Sequence, residues 1–250
     1  MSDVLAGLAA VRERIANAER ASSRPPGSVT LVAVSKRQTI KAIEAAYLGG
    51  QRHFGENYAQ ELAQKAEALA HLNDIQWHFI GNLQRNKAKI IAAHAHTLHT
   101  LDSAPLAHEL HKRLEILGRS LDVLVEVNVA REEQKHGVLP EGLGGLVTAC
   151  APLSCLHLRG LMTVPPADDE AQARACFRGL AALLNTAQNA FRAPAMLSMG
   201  MSDDLETAIA AGATFVRVGS AIFGPRAEAS SVADTSLHRA DAVLEGGADE

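Results

Sequence analysis

Lys36 closes an apolar run, residues 29–36 (VTLVAVSK). So little polar alternation fits a strand buried on both faces, as in parallel sheets. A lysine at the carboxyl end of such a strand stands where α/β proteins present chemistry. Far along the chain, residues 197–204 (LSMGMSDD) and 216–220 (VRVGS) each set a serine beside a glycine. Glycine lets backbone N–H groups approach an anion closely, which makes Ser198, Gly219 and Ser220 candidate phosphate ligands. Asp203 and Asp204 would repel a phosphate placed directly on them, so Ser198 is preferred in its segment. Arg217 alternates with Val216 and Val218 in a strand-like run, and a buried arginine needs an acceptor because it cannot shed its charge. Glu126, in VEVNV, is one internal candidate; a bound ligand is the other. An amine, phosphate ligands and a fixed cation together fit a Schiff-base site for a phosphorylated carbonyl compound.

Two such compounds remain open from the residues alone. Pyridoxal phosphate offers an aldehyde to Lys36, a phosphate to Ser198, Gly219 and Ser220, and a ring nitrogen to Arg217. A phosphosugar aldolase would also use a lysine and a phosphate site, but it needs an acid–base pair that the sequence does not point to.

The elements that position these residues follow from periodicity. Residues 4–20 carry apolar side chains at helical spacing, and the turn-rich stretch ASSRPPG breaks the pattern. Strands are then expected at 29–35, 53–57, 75–81, 97–101, 121–129, 156–162, 195–199 and 214–219. Helices are expected between them at 40–48, 58–70, 83–93, 105–117, 140–150, 168–189 and 203–211. Regular alternation implies parallel pairing by right-handed crossovers. Eight units in 250 residues predict an α/β fold, a single-domain (β/α)8 TIM barrel with an extra N-terminal helix. No G-x-G-x-x-G follows the first strand, so a dinucleotide-binding open sheet has no support. The expected organisation is an N-terminal helix and turn at 1–28, the barrel at 29–225, and a flexible tail at 226–250.

Composition narrows the function classes. A net charge of −4 with 4% aromatic residues gives no electrostatic or stacking case for nucleic acid. No apolar run approaches the ~20 residues that span a bilayer, so no membrane partner is expected. The first residues, MSDV, lack the charged-then-apolar pattern of a secretory signal. Three cysteines without a C-x-x-C pair fit reduced thiols and a cytoplasmic location. His94, His96 and His99 crowd together, but without neighbouring cysteines or carboxylates they read as a helix end and a strand start, and no metal is expected.

Several segments in order also carry a resemblance: LVAVSK (31–36), FGEN (54–57), WHFIG (77–81), LQ and NK (83–84 and 86–87), RGLM (159–162), SMGMSDD (198–204) and VRVGSAIFG (216–224). Together they resemble the pyridoxal phosphate homeostasis protein family, also called the proline synthetase co-transcribed type. The likeness covers nearly the whole expected barrel. It implies a barrel similar to the N-terminal domain of alanine racemase, with pyridoxal 5′-phosphate as cofactor. The cofactor lysine falls on Lys36, the ring-nitrogen partner on Arg217, and phosphate ligands on Ser198, Met199 (through its backbone), Gly219 and Ser220. Asn57 and His78 fall in matching motifs at strand ends, at the mouth. Arg37-Gln38 and Lys135-His136-Gly137 depart from the family pattern, both near the rim.

The implied function is intracellular homeostasis of the cofactor, held on Lys36 and passed transiently to apoenzymes that accept it. The alternative is a weak amino-acid racemase. An arginine on the pyridine nitrogen favours a weaker electron sink than an acid partner would. The racemases of this resemblance take their second acid–base group, a tyrosine, from a second domain of a partner subunit. Tyr47 and Tyr58 both fall in or at early helices, and the chain ends soon after the eighth strand. A non-enzymatic, monomeric carrier is therefore the expectation.

Overall fold

Short, largely buried strands recur with amphipathic helices between them, and each strand pairs in parallel with the next until the last meets the first. The computed structural model describes residues 2–167 and 169–224; the tail expected at 226–250 lies outside the described residues. The strands are β1 (Thr30–Val34), β2 (His53–Glu56), β3 (Gln76–Phe79), β4 (Thr97–Leu101), β5 (Leu121–Glu126), β6 (Leu156–Met162), β7 (Met196–Ser198) and β8 (Phe215–Val218). The helices are α1 (Ser2–Ala21), α2 (Ile40–Leu48), α3 (Ala59–Ala68), α4 (Ala88–His94), α5 (Ala104–Leu117), α6 (Leu143–Cys150), α7 (Glu170–Ala187), α8 (Leu205–Ala210) and α9 (Ser220–Phe223). The closed barrel order β1 to β8 is the (β/α)8 fold expected from the sequence.

Local chemistry sets the element ends. Thr39 caps α2, its hydroxyl accepting from Ala42 N at 3.2 Å, and Asp169 caps α7 by accepting from Gln172 N at 2.9 Å. Gly118 closes α5 in the left-handed region at φ 61. The helices expected from residues 83 and 140 open with 3₁₀ turns, Arg85–Lys87 and Pro140–Gly142. β5 stops three residues short of the expected 129. Asn128 turns back to make a ring of bonds with Glu132, its Oδ1 accepting from Glu132 N at 3.1 Å and its Nδ2 donating to Glu132 O at 2.8 Å, while Val127 bridges to Val138.

The first helix is part of the barrel wall. α1 packs against α9, α8 and α2, and Gly7 lies so close to α9 that a Cβ there would stand 2.6 Å from Ala221 O. Glu19 caps the start of β1, accepting from Val29 N at 2.8 Å and Gly27 N at 3.0 Å. Arg24 reaches the turn before β8, donating to Ala213 O at 2.5 Å. These contacts fix the ends of the two strands that close the barrel.

Gly160 serves the opposite side, where the β5–β6 register shifts. Its φ of 151 is a conformation that side chains rarely adopt, and a Cβ there would collide with the Met196 carbonyl oxygen in β7. Gly160→Ala is expected to cost about 3 kcal/mol or more, read as a fall in urea midpoint. Glu126, at the end of β5, gives a second prediction. Burial, with Asp102 nearby, pushes its carboxyl up to about 7 against the pull of Arg217. An unfolded glutamate titrates near ~4.3, so the contribution of Glu126 is full below that pH and lost as pH rises through 7. Glu126→Gln removes the loss. Its stability relative to wild type should rise by about 1–3 kcal/mol between pH 5 and pH 8; a difference unchanged across that range would refute the burial argument.

Candidate functional site

The closing seam decides what meets at the carboxyl end of the barrel. β1 and β8 pair with Val32 opposite Arg217 and Ala33 opposite Val218, so the residues just beyond each strand are neighbours. There a cavity of about 420 Å³ is lined by Lys36, Asn57, Arg217, Gly219 and Ser220, together with Met201, Ser202 and Asp203. Val34 and Ile80 supply apolar wall. A larger cavity, about 760 Å³, lies on the outer face of α2 among residues such as Leu48, Tyr47 and His71. It contains none of the strand-end candidates and lies away from the barrel mouth.

The backbone around Lys36 is clamped from α3. Lys65, 5% exposed, donates to Ser35 O at 2.6 Å, to Glu56 Oε1 at 2.8 Å and to Glu61 Oε1 at 2.7 Å. Glu61 Oε1 also accepts from Arg37 N at 2.5 Å, and Ser35 Oγ donates to Glu56 Oε1 at 2.6 Å. The carbonyl before Lys36 and the N–H after it are thus both held by one buried charge cluster. Arg37 completes the turn at φ 60, a conformation a non-glycine residue keeps only where its surroundings enforce it. Burial pushes Glu56 up to about 7, opposed by Lys65 and the Ser35 hydroxyl.

Arg217 is 5% exposed and enters the barrel interior from β8. Its Nη1 donates to Ser198 Oγ at 2.8 Å and its Nη2 to Thr163 O at 3.1 Å. Burial lowers the guanidinium to about 10, with Glu126 and Asp204 favouring the charge, so it is cationic at neutral pH. Glu126 therefore acts on it through space, while neutral oxygens take the hydrogen bonds. Ser198 Oγ in turn lies 2.8 Å from His99 Nδ1; His99 Nε2 lies 2.8 Å from His78 Nδ1, and His78 Nε2 lies 2.9 Å from His53 Nδ1. Burial depresses all three imidazoles, His99 to about 3 and His78 well below the ordinary range.

Of the eight residues singled out from the sequence, five line the cavity: Lys36, Asn57, Arg217, Gly219 and Ser220. Ser198, Met199 and His78 lie beneath it, all nearly inaccessible. The Ser198 hydroxyl is engaged by Arg217 and His99, and Met199 N donates to Phe215 O within the sheet at 3.1 Å. One residue past β7 the chain turns at Gly200, φ 93, and Ser202 beyond that turn is the hydroxyl of this segment that lines the cavity. Sequence reasoning set that segment aside for its acids. Arg14 of α1, donating to Ser202 O at 2.8 Å and paired with Glu206, supplies a neighbouring positive charge. His94, His96 and His99 diverge: His96 Nδ1 accepts from Trp77 N, His94 faces Glu67 at 3.8 Å, and His99 points into the barrel. Tyr47 and Tyr58 line other surfaces.

Known proteins resemble this chain in sequence and in fold. Residues 7–227 match the family described as alanine racemase, N-terminal domain. The pyridoxal phosphate homeostasis protein of Pseudomonas aeruginosa is 42% identical over 227 residues, covering 90% of this chain and 97% of that protein. Its counterpart in Escherichia coli K12 is 40% identical over 229 residues, covering 90% and 98%. Among solved structures, PipY of Synechococcus elongatus with pyridoxal phosphate bound superposes with a TM-score of 0.72 at 38% identity, over 84% of this chain and all of that one. With residues 7–227 matched by the family model and relatives about 40% identical over nine-tenths of the chain, the chain belongs to the pyridoxal phosphate homeostasis protein family.

Proposed function

We propose that the protein binds pyridoxal 5′-phosphate and serves intracellular homeostasis of that cofactor, holding its aldehyde as a Schiff base on Lys36 Nζ. The observation that carries this reading is the convergence of Lys36, Arg217, Gly219 and Ser220 on one cavity of about 420 Å³, within the range of small-molecule sites. The donor set suits the ligand: an amine for the aldehyde, a guanidinium for the ring nitrogen, and hydroxyl and backbone groups at Ser202, Gly219 and Ser220 for the phosphate. Asn57 Oδ1, buried without a hydrogen-bond partner at the cavity wall, fits a place awaiting a polar ligand.

When bound, the cofactor supplies a reactive aldehyde and an electron-withdrawing ring. The protein's own residues moderate that reactivity. Arg217 stays charged and can only donate, so it disfavours a protonated ring nitrogen. The clamp from Lys65 and Glu61 holds the main chain around Lys36, and Ile80 and Val34 keep part of the wall dry. Neither tyrosine lines the cavity to act as a second acid–base group. These features support a carrier that holds the aldehyde and releases it to acceptor apoenzymes rather than an efficient racemase, and we propose that it acts in the cytoplasm as a monomer.

Borohydride reduction of the loaded protein followed by peptide mass spectrometry should place the adduct on Lys36, and Lys36→Ala should lose both the adduct and the visible absorbance. An adduct on another lysine would overturn the assignment. Amino-acid racemisation by the loaded protein is expected to stay far below about 1 per second, an ordinary enzymatic turnover; rates above that would favour the racemase.

A further inference from the structure

The interior of the barrel contains a line of groups that the binding site alone does not require. From β8 to β2 it runs Arg217, Ser198, His99, His78, His53, each linked to the next at 2.8–2.9 Å. Ser198 and His99 are fully buried and His78 is 2% exposed. Phe215, two residues before Arg217 on the same strand face, packs against all three imidazoles with ring centroids 5.8–6.4 Å away. It seals the line from solvent along one side. At its far end His53 lines a separate cavity of about 420 Å³ at the amino-terminal end of the barrel.

The direction of these hydrogen bonds follows from Arg217. A guanidinium only donates, so Ser198 Oγ accepts from it. The single hydroxyl proton of Ser198 then has one partner in the structure, His99 Nδ1. With Nδ1 accepting, neutral His99 carries its proton on Nε2 and donates to His78 Nδ1. His78 likewise donates from Nε2 to His53 Nδ1. The opposite polarity would leave the buried Ser198 proton without an acceptor, at a cost that a sealed interior does not offset.

We infer that Ser198, His99, His78 and His53 are positioning residues for Arg217, forming a neutral chain of fixed polarity that holds the guanidinium at the floor of the cavity. This goes beyond the proposed function, and rests on it only for the effect in the loaded protein.

Nitrogen-15 NMR of histidine side chains in the ligand-free protein tests the polarity without reference to any cofactor. At pH 7 His99, His78 and His53 should all be neutral with the proton on Nε2; an Nδ1–H tautomer or a charged ring at His99 or His78 would overturn the inference. In the loaded protein, His99→Leu removes the acceptor for Ser198, whereas His99→Asn places an amide oxygen at the level of Nδ1. His99→Leu is expected to weaken pyridoxal phosphate binding about tenfold, a loss on the scale of one hydrogen bond, and to shift the pH midpoint of the bound chromophore. His99→Asn should restore both to near wild type. If His99→Leu folds with unchanged affinity and chromophore titration, the positioning role is refuted. If instead the wild-type adduct is absent from Lys36 while the tautomers are as stated, the cofactor reading fails and the polarity of the chain stands.

Discussion

A charge that cannot be shed sits inside this barrel, and much of the interior is arranged around it. Arg217 enters from β8 into space that most barrels of this kind fill with branched apolar side chains. Isolated, a buried guanidinium would be prohibitive. Here it is met by neutral acceptors, the Ser198 hydroxyl and the Thr163 carbonyl, with Glu126 and Asp204 adding longer-range attraction. Neutral acceptors leave the positive charge uncancelled at the cavity floor. A direct ion pair would have neutralised the cation and left little field for a ligand.

Lys36 is managed by the reverse strategy. Its side chain reaches the cavity, but its main chain is fixed from outside the sheet by Lys65, Glu56 and Glu61. That cluster joins one ammonium to two carboxyl groups on the wall side of β1 and β2. Breaking such a cluster by removing one member costs several kcal/mol, since the remaining charge stays buried. The two cationic residues of the site are thus held by unlike devices, charged on the wall and neutral in the interior. Barrel closure brings them together: Val32 pairs with Arg217, and α1 braces the seam by packing on α9.

Much of this was legible in the sequence. The order of strands and helices follows from apolar periodicity, and the 97–101 and 156–162 strands coincide with β4 and β6. Arg217 alternates with Val216 and Val218 as the sequence implies, and it shares the interior face with Phe215. The differences between expectation and structure have physical causes. Ser198 and Met199 were expected as phosphate ligands, yet both side chains are buried beneath the cavity and Met199 N is taken by Phe215 O within the sheet. Ser202 was discounted for its acidic neighbours because Arg14, on a helix at the other end of the chain, is invisible to a local argument. His53, His78 and His99 lie on three consecutive strands, and only the barrel's curvature turns their rings toward one another.

The same curvature suits histidine to the three positions of the interior line beyond Ser198. Spanning adjacent strands of a closed barrel requires side chains long enough to meet across the axis and able to donate at one end while accepting at the other. Neutral imidazole does both through rigidly separated nitrogens. Charged imidazole cannot, since both nitrogens would donate and the chain would break beside Arg217. Deep burial, which drives His99 and His78 strongly toward the neutral form, is therefore a condition for the line to exist and not merely a consequence of its location. Phe215 supplies part of that burial from the very strand that carries Arg217. The strand thus brings in the cation and also shields the neutral chain that orients it, which ties the electrostatics of the cavity to the packing of a single β-strand.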